Sequence, residues 1–266
     1  MVLIGALSAR AETVHLAPLK DSVIFSESNN TNGGGEVIHV GANSSGNVRR
    51  GLMQFDIAAS VPTGSTITAA TLTLHLNDAG SAAGDRTVAL YRILGQWGNG
   101  TTGSGGASGG SGQGFAPATG DVTWNYRSYS TSPPSPPLTP WLTAGGDFQP
   151  LASASLTFTP IVGNYYSWTG AGLVNDVQAW LDDPLQNFGW ILRGEEVLGG
   201  KLVKFDSLER TIAEYRPVLT IEYTTVPEPS AFALLFTGLA MATVALRCRL
   251  GKKPSCDSVM RRDQVC

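Results

Sequence analysis

The sequence predicts an all-β fold: an antiparallel jelly-roll β-sandwich with one short helix, followed by a single C-terminal transmembrane helix. Three observations carry this expectation. Apolar and polar residues alternate at period 2 in segment after segment, turns rich in Gly, Asn, Ser and Pro separate those segments, and one uncharged apolar run stands near the end of the chain.

Residues 1–11, MVLIGALSARA, read as a signal peptide truncated at its start. The run is apolar and offers Ala9-Arg10-Ala11 as a cleavage site, but it has no basic n-region. The body, residues 12–225, then supplies strands at DSVIF (21–25), EVIHVG (36–41), RGLMQFDI (50–57), ATLTLHL (70–76), TVALYRIL (87–94), DVTWNY (121–126), ASLTFTP (154–160) and PVLTIEY (217–223). In ATLTLHL, Leu72, Leu74 and Leu76 share one face and Thr71, Thr73 and His75 the other, so one side is buried and His75 is expected at the solvent face. Only AGLVNDVQAWLDD reads as a helix: Leu173, Val177, Trp180 and Leu181 fall on one side, and Pro184 ends the run. A single helix among strands suits a jelly roll better than βαβ units. Two low-complexity insertions interrupt the body, a Gly/Ser loop at 98–114 and a stiff Pro-rich loop at 130–140, and neither can build a core.

Composition narrows the function classes. Charged residues are only 15% of the chain and the net charge is −3, which suits strands and turns. Because Arg247, Arg249, Lys252 and Lys253 sit together near the end, the body is more acidic than the whole, and nucleic acid is not an expected partner. All three cysteines, Cys248, Cys256 and Cys266, lie beyond the apolar run, so the body has no disulfide. His15, His39 and His75 are far apart and in no zinc-ligand spacing.

The C-terminal region, residues 226–253, has a definite order of parts. Val226, Pro227, Glu228, Pro229 and Ser230 precede the uncharged segment 231–246, and Arg247 and Arg249 follow it. At about 1.5 Å per residue a helix over that segment reaches about 24 Å, a short membrane span. The basic cluster after it places the tail in the cytoplasm and the body outside. This arrangement resembles the PEP-CTERM sorting signal. The resemblance implies transient residence in the inner membrane through the C-terminal helix, cleavage near the triplet by an exosortase-type sorting peptidase, and delivery of the body to the cell surface or extracellular matrix. Residues 254–266 continue past the point where such tails usually stop.

The body in turn resembles the DNRLRE-type secreted β-sandwich domain, related to carbohydrate-binding modules. Arg50, Leu52, Phe55 and Asp56 match one strand of that family, and Ile67, Ala70, Leu72 and Leu74 the next. Trp97 with Val122, Thr123 and Trp124 matches a two-tryptophan stretch pulled apart here by the Gly/Ser loop. Val174, Val177 and Trp180 match the helix, Gly189 and Leu192 a strand, Phe205, Ser207 and Glu209 another, and Arg216, Pro217, Leu219 and Tyr223 the closing one. The resemblance implies a jelly roll whose leading function is glycan binding, with extracellular polysaccharide as the partner. A structural or adhesive matrix protein without glycan binding is the alternative, and a polysaccharide lyase or hydrolase a third reading.

The candidate chemistry follows. Gly106-Ala107-Ser108-Gly109-Gly110 and Gly98, Gly100 and Gly103 match catalytic and nucleotide-binding motifs formally, but lie in a Gly/Ser tract where chance matches are expected. The carboxylate pairs Asp182–Asp183 and Glu195–Glu196 are adjacent and so point apart; no catalytic residue is assigned. Sugar rings stack on flat aromatic faces, for which Tyr126, Tyr129, Trp141 and Tyr166 are candidates, with core packing as the alternative. Arg49 and Arg92 are candidates for gripping acidic sugars, while Arg50 has the alternative of a buried pairing with Asp56 or Glu209. Sandwich modules of this kind often hold a structural calcium ion, and Asp21, Asn30, Asn32 and Glu36 are the candidate ligands near the SESNNTNGGGE turn.

Overall fold

A computed structural model describes residues 10–103, 113–134 and 137–225. The apolar segment 231–246, and Val226, Pro227, Glu228, Pro229, Arg247 and Arg249 of the expected sorting signal, lie outside the described residues. Among the described residues no helix is long and apolar enough to cross a membrane.

The strands in chain order are β1 (Ala11–Leu16), β2 (Lys20–Phe25), β3 (Val37–Ala42), β4 (Val48–Gln54), β5 (Thr66–Asp78), β6 (Arg86–Arg92), β7 (Tyr126–Ser128), β8 (Thr139–Pro140), β9 (Ala154–Phe158), β10 (Tyr165–Thr169), β11 (Trp190–Arg193), β12 (Val203–Asp206) and β13 (Val218–Thr224), with helix α1 (Ala171–Asp182) between β10 and β11. All pairings are antiparallel. Eleven strands form one curled sheet in the order β1-β13-β5-β12-β3-β4-β11-β6-β9, with β10 added beside β5 and β2 beside β4; β7 and β8 form a separate ribbon. The curl gives a β-sandwich-like body. Its core draws Leu72, Leu74, Leu219 and Ile221 from one half of the sheet and Met53, Val88, Leu90 and Leu192 from the other. The Trp168 indole of β10 bolts the halves together by donating to the Val88 carbonyl at 2.8 Å.

The alternation along β5 places Leu72, Leu74 and Leu76 at 0% exposure, each worth about 1.5–3 kcal/mol of burial. Its opposite face is not the solvent face expected for His75. The Tyr165 and Tyr215 rings cover His75, the second stacked on it at 4.0 Å, and the imidazole pairs with Asp206, so the residue is buried.

Helix α1 buries the four residues that define its apolar stripe, Leu173, Val177, Trp180 and Leu181, and ends at Asp183, whose side chain caps the short turn Pro184–Gln186. Entry into β11 depends on Gly189. Its φ is +78° and a Cβ there would lie 2.1 Å from the Met53 carbonyl oxygen, so both the backbone and the space require glycine.

Half of the sheet is buried on both sides. Val23, Met53 and Leu192 face the main core, while their neighbours Ile24, Leu52 and Ile191 face outward into a second cluster with Ile93, Trp97, Val122 and Trp141. The chain between β6 and β9 folds over that face. DVTWNY, expected as a strand, contributes only Tyr126 to one. Asp121 Oδ2 instead accepts the Ala118 amide and the Thr102 hydroxyl, and Val122 packs into the outer cluster. There the alternating pattern reports burial under a loop rather than pairing in a ladder.

Candidate functional site

Three adjoining depressions lie where the β6–β9 connection meets the sheet. Arg50, Leu94, Leu142, Thr143, Asp147 and Phe148 line the first; Leu94, Gln149, Gln186 and Arg92 the second; Arg92, Gln149, Ser153, Asn175 and Asp176 the third. They share Leu94, then Arg92 and Gln149, and so run into one another as a shallow trough. Guanidinium, amide, hydroxyl and carboxylate groups offer donors and acceptors along it. Exposed Leu142 and Leu151 and half-exposed Leu94 supply apolar surface. This is the mixture that binds a sugar, whose ring carries hydroxyls at its edge and C–H groups on its faces.

One end of the trough is braced by a charge cluster. Glu196 receives Arg50 through two bonds of 2.7 and 2.8 Å, and Arg193 through two of 3.0 and 2.6 Å. Both guanidinium groups lie over aromatic rings, Arg50 over Trp124 at 4.7 Å and Arg193 over Tyr91 and Phe148 at 5.4 and 5.1 Å. Arg50 also donates to the Gly145 carbonyl at 2.6 Å. Burial alone would raise the Glu196 carboxyl; the forked hydrogen bonds and charges of the two arginines outweigh it and bring the pKa down to about 2. The alternative partners of Arg50 weighed from sequence, Asp56 and Glu209, are replaced by Glu196, a residue 146 positions away.

The other candidates separate. Arg92 lines the trough, its side chain a quarter exposed and 3.9 Å from Asp176. Tyr126 and Tyr129 stand partly exposed on and beside the β7–β8 ribbon, their rings edge-to-face at 5.9 Å. The ribbon pairs Tyr126 with Pro140, two residues before Leu142 of the trough. Trp141 does not present a stacking face. Its indole is buried in the outer cluster, donating to the Thr123 carbonyl at 3.0 Å, because Trp is the largest apolar body available to fill the space under the loop. Tyr166 is on β10, its ring against Phe158 at 4.1 Å and its hydroxyl tied to Thr159 and Ile161. Arg49 is at 0% exposure and ion-paired with Glu27 at 2.6 Å, inside the protein rather than on a binding face.

The four expected calcium ligands take different partners. The Asn30 amide donates to the Gln113 carbonyl. Glu36 pairs with Arg210 at 2.9 Å and accepts from Thr211. Asn32 donates to the Val37 carbonyl, but its buried Oδ1 has no donor. Asp21, wholly buried, accepts the Leu208 amide on Oδ2 and has no donor on Oδ1. Among the described residues no three His, Cys, Asp or Glu side chains group to hold a metal. Glu36 and Asn30 spend their side chains on other partners, while Asp21 and Asn32 each keep a buried oxygen without one.

Residues 12–103 match the model of carbohydrate-binding module family 96. The matched stretch runs from within β1 past β6 and contains Arg50, Arg92 and Leu94 of the trough. No curated protein matches the chain. The match and the β-rich structure together fit a carbohydrate-binding β-sandwich domain.

Proposed function

We propose that this chain is a non-catalytic carbohydrate-binding protein that holds polysaccharide along the trough from Arg50 past Arg92 to Asp176. The observation that carries the reading is that the segment matching a carbohydrate-binding module family also supplies Arg50, Arg92 and Leu94 to the trough. Resemblance to DNRLRE-type domains supports an extracellular polysaccharide as ligand. The order of residues from Val226 to Arg249 supports export, transient anchoring in the inner membrane and sorting by an exosortase-type peptidase to the cell surface or matrix. Affinity electrophoresis of the full chain in gels cast with neutral and acidic polysaccharides tests the binding. Retardation by at least one gel is expected, reduced about tenfold or more in apparent affinity by Arg92→Ala and Gln149→Ala and unchanged by Tyr166→Phe. Equal mobility in every gel would leave the structural or adhesive reading in its place.

A further inference from the structure

The polar groups of the trough divide into those already engaged and those left open. Arg50 gives all three of its nitrogens to Glu196 and the Gly145 carbonyl, and Arg193 gives two of its own to the same carboxylate. Asp147 accepts the Leu142 amide on Oδ2 and the Thr143 amide on Oδ1, at 2.9 and 2.8 Å. Asp176 accepts the Ser153 hydroxyl and the Trp190 indole, both on Oδ2. Its Oδ1 lies 3.9 Å from Arg92, a guanidinium that makes no hydrogen bond among the described residues. Three guanidinium groups thus face three carboxylates, and at neutral pH their charges cancel. What stays open is a row of carboxamides. Gln149, Gln186 and Asn175 are exposed, line the second and third depressions, and make no side-chain hydrogen bond among the described residues.

We propose that the trough selects an uncharged polysaccharide, with the carboxamides of Gln149, Asn175 and Gln186 reading its hydroxyls. This selectivity rests on the glycan reading above and narrows it. A carboxamide both donates and accepts, as a sugar hydroxyl does, so each can pair with either side of the same group. A uronate instead needs a cation with open donors. Arg92 is the cation in the trough that has them, and a carboxylate bound there would meet the charge of Asp176. Exposed Asp182 and Asp183, just before Gln186, add to the repulsion of a polyanion. An amino sugar fares no better, because both oxygens of Asp147 and Oδ2 of Asp176 already accept hydrogen bonds. Leu94, Leu142 and Leu151 meet the C–H faces of the rings, so the ligand is matched on edge and face without charge. Arg92, expected to grip acidic sugars, serves here as a hydroxyl donor.

The test is depletion of the full chain from solution by beads bearing galactomannan, hydroxyethyl cellulose, dextran or polygalacturonate, at about 50 and about 500 mM sodium chloride. We expect binding to at least one of the three neutral polymers, with an affinity that changes less than about twofold between the two salts. Binding to polygalacturonate should be at least about tenfold weaker. Gln149→Ala and Asn175→Ala should each weaken neutral binding about three- to tenfold and leave Tm at the parent value, since both side chains are exposed and free. Binding that is strongest to polygalacturonate and falls steeply with salt would overturn the selectivity while leaving the glycan reading in place. Neutral binding undiminished when Gln149→Ala and Asn175→Ala are combined would equally overturn it, by taking the carboxamides out of the contact. Binding to no polymer at either salt would remove the glycan reading and this one with it.

Discussion

Glu196 and the Asp21–Glu209 pair are two places where this protein takes carboxylates out of water, and it treats them oppositely. Glu196 is met by two arginines in forked geometry and its carboxyl is held down at about 2. Asp21 is met by another acid, and burial together with the Glu209 charge pushes its carboxyl well above the usual range. Both sites join elements far apart in the chain. The difference is that the first is met by two guanidinium groups in hydrogen-bond contact, whereas the second has only the charge of Arg216 acting on Glu209 without a hydrogen bond. A buried acid with two forks on it is a finished structural joint; a buried acid beside another acid is held in its uncharged form.

The sharpest way to break this contrast is Arg50→Ala. It removes one fork from Glu196, the bond to the Gly145 carbonyl and the cover over Trp124, and should cost about 3–5 kcal/mol, lowering Tm by about 10 °C. An unchanged Tm would show that the joint carries no stability. Next in size is the acid limb of the parent protein. With the folded pKa of Glu196 near 2 and an ordinary value of 4.5, the unfolded chain takes up the proton first as pH falls. The stabilisation is therefore complete above about pH 4.5 and lost toward pH 2, amounting to about 3 kcal/mol. Chemical denaturation across that window should show the slope, and Glu196→Gln should flatten it. Arg193→Ala, whose side chain is nearly a third exposed, should cost less than Arg50→Ala, about 1–2 kcal/mol. Smallest is Tyr126→Ala on the ribbon, expected to move stability by no more than about 0.5 kcal/mol; a larger loss would place that ring in the packing rather than at the surface.

The two joints also mark how far the sequence could be read. Strands β2 to β6, β9 and β13 were legible because their alternation is local, and α1 because its four buried residues share a stripe that Pro184 closes. The partners of the acids were not. Nothing local links Arg50 to Glu196 or Asp21 to Glu209, and in a stretch of strand the same carboxylate can face solvent, a guanidinium or another acid. His75 was misplaced for a related reason: the alternation correctly assigned its face, but the cover over that face comes from Tyr165 and Tyr215, brought in by distant segments. β1 and β10 escaped notice because AETVHL overlaps what reads as the end of a leader and YYSWT is short and mixed in polarity. Trp141 shows the converse limit. A tryptophan beside a Pro-rich loop could serve a ligand or a core, and only the second cluster over Ile24, Leu52 and Ile191, which also holds Trp97, shows that it is core. Of the trough, Arg92 was legible as a candidate, whereas Gln149, Asn175 and Asp176 carried no signal until the fold brought three segments together.

Strand β13, which leads the chain toward Val226, lies inside the sheet, with β1 along one side and β5 along the other. The Thr225 amide still reaches the Arg10 carbonyl at 3.3 Å, so the ladder with the N-terminal strand extends to the point where the chain departs. A load applied through that exit cannot peel away a free edge. It has to rupture two ladders, six residue pairs with β1 and seven with β5, before the core is breached. Under the function proposed above, with polymer gripped by the body and the chain held by its C-terminal end, traction on the polymer would meet a strand paired on both sides where the chain leaves the fold.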